Sequence, residues 1–240
     1  MYFLLLDRET DFNSANQFTF CYFYPKKYKM TFKEQFIQVL NSQLPGESAH
    51  IPMLPAGRKV SSEVRKNAIK PKISAVALHI VIEETNDISI IFIERAEYDG
   101  THSGQIAFPG GKVEVNDIDL LHTARRESEE EVGISISEGE FIGKLTPVYI
   151  PVSNYDVYPF VILHEKFPVL SVDEREVSSF IIASLHSLAE PDAIHHKELA
   201  ILKDNKMAKV PGFYIEDKWL WGASALIINE LLAVYRKVIK

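Results

Sequence analysis

The order of apolar and polar positions predicts strands in the middle of the chain and helices near both ends. Residues 73–82 form an apolar, β-branched run, and residues 88–95 form a second run after the turn residues Asn86 and Asp87, so the two are expected to pair as a hairpin. Further strand-like runs lie at residues 140–150, 157–163, 177–183 and 199–203. This order predicts an α/β fold, in which a mixed β-sheet lies between helices as an α/β sandwich.

Three segments have the periodicity of amphipathic helices. Near the start, Thr31 and Glu34 form a capping box in front of apolar residues that share one helical face. Residues 117–132 predict a second helix, for which Asp117 is the expected N-cap. The third helix is expected from about residue 221 to residue 238.

The chain divides into an extension, an arm and one main domain. The chain opens with the apolar run MYFLLL, which ends at Asp7 and is too short for the core of a signal peptide. We expect residues 1–29 to be an N-terminal extension that is dispensable, or absent because translation starts at Met30; the alternative is a β-hairpin added to a sheet edge. Residues 30–72 are expected to supply a helix and a proline-rich arm, and residues 73–240 the main domain.

Composition excludes several classes of protein. The 240 residues are 46% hydrophobic and 25% charged, which suits one core of ordinary size. A net charge of −7 argues against a nucleic-acid partner, and no apolar run approaches the roughly 18 residues of a membrane span. Cys21 is the only cysteine, so no disulfide forms within the chain and a reducing compartment such as the cytoplasm is expected. Whether the chain forms a homodimer is left open.

The most informative residues are three glutamates of the helix predicted at residues 117–132. At about 100° per residue, Glu127 and Glu131 point within roughly 40° of each other, and Glu130 lies about 60° to the other side of Glu127. Like charges at this spacing oppose helix formation unless a partner offsets them. Mg²⁺ or Mn²⁺ fits such a stripe of carboxylates, and a solvated acidic face is the ordinary alternative.

The residues around this stripe resemble the signature of the Nudix hydrolases. That signature is G, five residues, E, seven residues and then R-E-U-x-E-E-x-G-U, where U is an aliphatic residue. Its second half matches Arg126, Glu127, Glu130, Glu131, Gly133 and Ile134, and the glycine turn FPGG precedes it at residues 108–111.

The chain departs from the signature at three points. Asp117 stands where the first glutamate is expected, eight residues rather than seven then precede Arg126, and Ser128 replaces an aliphatic residue. The resemblance implies a Nudix-type α/β/α sandwich in which the metal helix packs on the sheet. It also implies catalytic roles for Arg126, Glu127, Glu130 and Glu131, and metal binding by these three glutamates and Gly111.

A second element resembles the coenzyme A pyrophosphatase branch of the same family. Residues 90–111 read IIFIERAEYDGTHSGQIAFPGG, close to the pattern L-L-T-x-R-S, a basic residue and G-x-x-x-F-P-G-G. Gly100 and Thr101 stand where an Arg is usual, but the branch commonly carries the extra residue in the signature. The resemblance implies hydrolysis of CoA or acyl-CoA to adenosine 3′,5′-bisphosphate and 4′-phosphopantetheine or its acyl derivative.

Several residues are expected to bind the substrate. His102 and Gln105 are close enough in sequence to reach the pocket, although a surface role fits His102 equally well. Tyr155 is expected in a loop between two strands, and the resemblance implies that this region lines the substrate pocket, so Tyr155 would wall or stack on the ligand; a place in the core is its alternative. The expected substrate-binding residues are Arg95, His102, Gln105, Phe108, Gly110, Gly111 and Tyr155.

Three functions fit these patterns. The first is a metal-dependent pyrophosphatase of CoA or acyl-CoA, and the second is a Nudix hydrolase of another nucleoside diphosphate derivative, such as a nucleotide sugar, a dinucleotide or an oxidised nucleotide. The third is a ligand-sensing module without turnover, which the intact glutamates oppose. In a hydrolase, water is the nucleophile, and Glu130 or a loop carboxylate, Glu174 or Glu176, is the candidate base.

Overall fold

The computed structural model describes residues 30–84, 87–96, 104–200 and 207–239, in which a large mixed sheet lies between helices. The helices are α1 (Phe32–Leu40), α2 (Glu47–His50), α3 (Ser61–Arg65), α4 (Leu120–Val132), α5 (Leu185–Ala189) and α6 (Gly222–Val238), with a 3-10 turn at Ile51–Met53. The strands are β1 (Lys72–Ile82), β2 (Ile88–Arg95), β3 (Ile106–Ala107), β4 (Gly110–Lys112), β5 (Glu140–Lys144), β6 (Val148–Ile150), β7 (Tyr155–His164), β8 (Val177–Ser184), β9 (Ile194–Ala200), β10 (Met207–Ile215) and β11 (Lys218–Trp221). The expected α/β/α layering is confirmed, since α4 packs on one face of the sheet and α1, α5 and α6 on the other.

The large sheet has the order β3-β2-β1-β7-β5. Three further strands complete it, because β4 pairs with β1, β6 with β7 and β8 with β2. The expected hairpin of β1 and β2 is confirmed, with Ile82 opposite Ile88. β1 and β7 run parallel, which places Ala75 beside Tyr158. A separate small sheet has the order β11-β10-β9. Within the described ranges, no helix combines the length and the apolar character needed to cross a membrane.

Some boundaries differ from the sequence expectation. The run at residues 140–150 is two strands, β5 and β6, which are separated before Val148 where Pro147 cannot donate a ladder hydrogen bond. β9 begins at Ile194, earlier than expected, and residues 201–206 lie outside the described part of the chain, as do residues 1–29. β10 was not expected, because its Pro and Gly are poor strand formers.

The alternation of side chains along β1 lets helices pack on both faces of the sheet. Leu78 and Ile80 belong to the core cluster that includes α6, whereas Ala75 and Ala77 face α4 and contact Ala124. Small side chains on both sides of this contact allow α4 to pack directly onto β1. The helix that carries the glutamates is therefore held against the central strand.

Two buried histidines connect α4 to the sheet. His79 in β1 and His164 in β7 are 1% and 3% exposed, and Nδ1 of His79 lies 2.9 Å from Nε2 of His164. Nε2 of His79 lies 2.8 Å from Oγ of Ser128 in α4. Burial, together with the neighbouring His164 and Arg125, lowers the pKa of His79 to about 3, so its ring is neutral at pH 7.

The buried, neutral His79 should make the free energy of unfolding fall as the pH drops below about 6.5. The unfolded chain takes up a proton at the ordinary pKa of 6.5, whereas the folded chain does so only near pH 3, so the unfolded state binds more protons between these values. Between pH 7 and pH 5 the loss due to His79 should be about 2 kcal/mol. Urea unfolding of the wild type and of His79→Gln at both pH values measures this loss, and an equally steep pH dependence in the variant would contradict it.

Candidate active site

The glutamates lie on α4, which begins three residues later than the sequence predicts. Asp119, rather than Asp117, caps the helix, because its carboxylate accepts a hydrogen bond from the backbone N–H of His122 at 2.7 Å. The helix ends at Gly133, whose left-handed conformation with φ of +74° suits glycine. This leaves the carboxylate of Asp117 available for a different contact.

The FPGG turn brings backbone against two of the three glutamates. The N–H of Gly110 donates to Oε2 of Glu131 at 2.8 Å. A Cβ on Gly111 would lie 2.3 Å from the carboxyl carbon of Glu127, so a larger residue would displace that carboxylate. A Cβ on Gly110, which has a φ of +154°, would lie 2.4 Å from the carbonyl oxygen of Ala75. Both glycines are thus required for the close approach of Glu127 and Glu131 to the turn.

Arg126 binds Asp117 and also contacts two of the three glutamates. Its Nε and Nη2 donate to the two carboxylate oxygens of Asp117 at 2.9 and 3.1 Å. Its Nη1 lies 2.9 Å from Glu130, and its Nη2 lies 3.0 Å from Glu127. The hydrogen bonds from Arg126 hold the pKa of Asp117 well below its usual range, and the same contact raises the pKa of Arg126. Asp117 therefore reaches the arginine of the signature, although it is shorter than glutamate.

Glu127 and Glu131 are buried carboxylates with an excess of negative charge around them. They are 9% and 1% exposed. Burial raises the pKa of both, and it raises that of Glu131 to about 8 although the Gly110 amide and Arg95 oppose the change. The charge of Glu176 acts in the same direction on both groups. A cation placed between the two carboxylates would stabilise their ionised forms.

The donor set suits a hard divalent cation. Mg²⁺ and Mn²⁺ prefer carboxylate and carbonyl oxygens, and two carboxylates lie against the backbone of the glycine turn. Among the described residues, no group of three or more His, Cys, Asp and Glu side chains is arranged to hold a metal ion. Glu127 and Glu131 both lie against the glycine turn, whereas Glu130 is exposed and paired with Arg126.

Of the residues expected to bind substrate, Arg95 lies at this site and Phe108 does not. Nη1 of Arg95 lies 3.5 Å from Oε1 of Glu131, and its backbone N–H donates to the carbonyl of Gln105 at 3.1 Å. Phe108 is only 2% exposed and packs against Phe92, so its side chain anchors the glycine turn in the core. His102 lies outside the described residues.

Tyr155 lies away from the glutamates. It packs against the core cluster that includes α6, on the face of the sheet opposite α4. Its ring centre lies 5.4 Å from Nζ of Lys72, at the start of β1. Tyr155 is therefore a partly buried residue at the edge of the core, and its contact with a ligand stays a prediction.

Glu176 is a fourth carboxylate near the pair. It precedes β8, and its carbonyl accepts a hydrogen bond from the N–H of Ala96 at 2.9 Å. Because β8 pairs with the end of β2, Val177 lies opposite Arg95. From the sequence, Glu176 was expected only in a loop. Its position near Arg95 depends on the pairing of β2 and β8, which are far apart in the chain.

Comparison with known proteins matches the NUDIX domain to residues 72–203 of this chain. The uncharacterized Nudix hydrolase NudL of Yersinia pestis is 35% identical over 144 residues, which cover 60% of this chain and 70% of the relative. NudL of Yersinia pseudotuberculosis gives the same values. Among solved structures, a MutT/nudix family protein from Enterococcus faecalis has a TM-score of 0.46 and 14% identity, covering 80% of this chain and 73% of that one.

Asp117→Ala should reduce the free energy of unfolding more than Asp119→Ala does. The first change leaves the partly buried Arg126 without its bidentate partner and should cost about 2 to 3 kcal/mol, whereas the loss of the helix cap should cost about 1 kcal/mol. Urea denaturation of both variants measures the two losses. Equal losses would mean that the contact between Asp117 and Arg126 contributes no more than an ordinary cap.

Proposed function

This chain belongs to the Nudix family, and from that premise we propose that it hydrolyses the diphosphate bond of coenzyme A or acyl-CoA. The products are adenosine 3′,5′-bisphosphate and 4′-phosphopantetheine or its acyl derivative. The coarser assignment, a pyrophosphohydrolase of nucleoside diphosphate derivatives, follows from the domain match and the curated relatives. The choice of CoA rests on the element at residues 90–111.

The observation that carries the proposal is the convergence of two sequence elements on one carboxylate. Arg95 and Gly110 both belong to the CoA-type element, and both contact Glu131 of the acidic helix. A guanidinium at this position can bind a phosphate oxygen of a substrate whose diphosphate lies over the glutamates. The element that suggests the substrate and the helix that suggests the chemistry therefore form one site.

Glu127, Glu131 and the carbonyl of Gly111 would hold Mg²⁺ or Mn²⁺, with Glu130 as a further ligand. When bound, the cation supplies the positive charge that reduces repulsion between the diphosphate and an attacking nucleophile. Arg95 orients the substrate on the same side, and Arg126 keeps the helix and Asp117 together while it offsets part of the charge of Glu127. Glu127, Glu131 and Arg95 already lie close together without a substrate, so Glu130 is the ligand that would have to change its contact, by leaving Arg126.

Water attacks one phosphorus atom of the diphosphate, and a carboxylate accepts its proton. Two carboxylates are suited to this role, because each lies near the buried pair but is exposed enough to reach solvent. One is Glu130, which accepts a hydrogen bond from Arg126. The other is Glu176, which lies beside Ala96. The bridging P–O bond breaks as the new P–O bond to water forms, and Arg95, together with a cation held by the glutamates, would offset the negative charge that stays on the leaving phosphate.

A Nudix hydrolase of another nucleoside diphosphate derivative is the second candidate. Gly100 and Thr101 stand where the CoA-type element usually has an Arg, and this absence favours a substrate that makes one phosphate contact fewer. Both residues lie outside the described ranges. The two candidates share the glutamates and differ in whether residues 100 and 101 supply a phosphate contact.

Glu131→Gln should abolish hydrolysis and leave the fold intact, because the neutral amide cannot act as an anionic ligand for the cation. We expect kcat with Mg²⁺ or Mn²⁺ to fall by at least about 100-fold. Circular dichroism and thermal unfolding check the fold. Glu129→Gln is the matched control, since Glu129 lies on the same helix but is exposed and accepts a hydrogen bond from the N–H of Ile136. Full activity in Glu131→Gln would remove this carboxylate from the reaction.

A panel of substrates separates the two candidates. We expect kcat/KM for CoA to exceed the values for NADH, ADP-ribose and dinucleoside polyphosphates by at least about 10-fold, which corresponds to one well-placed contact. Release of adenosine 3′,5′-bisphosphate, measured by ion-exchange chromatography, identifies the bond that is cleaved. A higher kcat/KM for another member of the panel would replace CoA as the substrate and leave the assignment as a hydrolase in place.

A further inference from the structure

The hydrogen atoms between His79 and Ser128 have only one consistent arrangement. Oγ of Ser128 lies 2.7 Å from the carbonyl oxygen of Ala124, one turn earlier in α4, and a serine hydroxyl has a single hydrogen to donate. That hydrogen goes to the carbonyl, which can only accept. Oγ of Ser128 therefore accepts from His79, and Nε2 of His79 carries the hydrogen.

The same reasoning fixes the state of His164. A neutral His79 with its hydrogen on Nε2 has a lone pair on Nδ1. Nε2 of His164, 2.9 Å away, must then donate to it. The direction of donation therefore runs from His164 to His79, from His79 to Ser128, and from Ser128 to Ala124. All three side chains of this polar chain are buried.

The outer end of the polar chain is held by α4 itself. Arg125 donates to the carbonyls of Ile136 and Gly139 at 2.6 and 2.9 Å. A Cβ on Gly139 would lie 2.8 Å from Cε1 of His164, so this loop packs directly on the ring. Glu138, in the same loop, lies 3.9 Å from Nδ1 of His164. The helix thus contacts His79 directly through Ser128, and through Arg125 it holds the loop that packs on His164.

β1, the strand that contains His79, also pairs with the two glycines of the FPGG turn. In the pairing of β1 and β4, Val76 lies opposite Gly110 and Ala75 lies opposite Gly111. Ser128 is next to Glu127 and one turn before Glu131 along α4. A shift of Ser128 relative to His79 would therefore move both carboxylates relative to the glycine backbone that they contact.

We infer that the polar chain of His164, His79 and Ser128 sets the position of Glu127 and Glu131 against the glycine turn, so that both histidines are positioning residues for hydrolysis. The inference rests on the proposed function of these glutamates. An aliphatic residue at position 128 would contact the sheet without a preferred orientation, whereas a chain of directed hydrogen bonds fixes both the distance and the rotation of the helix.

Nitrogen-15 NMR of the imidazole rings tests the arrangement directly. We expect His79 to be neutral at pH 7 with its hydrogen on Nε2, and His164 to carry a hydrogen on Nε2 as well. Assignment of the two rings follows from the loss of signals in His79→Gln and His164→Gln. A hydrogen on Nδ1 of His79, or a charged ring at this position, would overturn the inference.

Two variants of His164 separate positioning from packing. The amide nitrogen of Gln can take the place of Nε2 and donate to His79, whereas Leu fills the space without a donor. In His164→Leu we expect kcat for the best substrate of the panel to fall by about 10-fold or more while KM changes by less than about 3-fold, as for a misplaced catalytic group. His164→Gln should recover most of the loss. Equal kcat values in the two variants would overturn the inference.

Ile162→Val is the matched control for stability. Ile162 is fully buried on the same strand and belongs to the cluster under α4, but it has no polar contact to lose. We expect this variant to lower the melting temperature and leave kcat unchanged. A fall in kcat like that of His164→Leu would mean that any weakening of the core impairs the site, which would also overturn the inference.

Calorimetric titration with Mn²⁺ gives a readout that needs no turnover. We expect Kd to increase by about 10-fold in His164→Leu and by less than about 3-fold in His164→Gln. A wild type that binds Mn²⁺ with this pattern but hydrolyses nothing in the panel would remove the proposed function and support the positioning role. Unchanged Kd and kcat in His164→Leu, with an active wild type, would remove the positioning role and leave the function.

Discussion

The candidate site depends on two buried carboxylates held against the two glycines of the FPGG turn. Glu127 and Glu131 contact Gly111 and Gly110, and burial raises the pKa of both. Such an arrangement is costly in the absence of a cation, because like charges repel and burial disfavours ionisation. Two further features keep these groups in place. Arg126 ties α4 to Asp117, and the alanines of β1 allow the helix to pack closely on the sheet.

Much of this arrangement could be predicted because its signals are local. The spacing of Glu127, Glu130 and Glu131 follows from helical geometry alone, and the hairpin of β1 and β2 follows from two apolar runs and a polar turn. The capping box of Thr31 and Glu34 is likewise a contact between residues three apart, and it is present as expected.

The sequence could not show contacts that depend on segments far apart in the chain. Which face of the sheet Phe108 and Tyr155 pack against depends on strand pairing. The cap of α4 was assigned to Asp117 because the buried partner of that carboxylate, Arg126, could not be seen from spacing. His79 and His164 lie inside two apolar strand runs, and only the parallel pairing of β1 and β7 brings them together under Ser128. A serine at an aliphatic position of the signature was the one signal that could have pointed to them.

The parallel pairing of β1 and β7 also bears on how the molecule acquires its shape. Ala75 and Tyr158 are neighbours in the sheet, although α4 and the five strands β2 to β6 separate them along the chain. Closing so large a loop is slow, since its entropy must be lost before the contacts form. The acidic helix can form early as a local element, but the surface on which it lies is completed only when β7 joins β1. Nascent chains that have not yet reached β7 therefore carry the glutamates without the sheet that orients them.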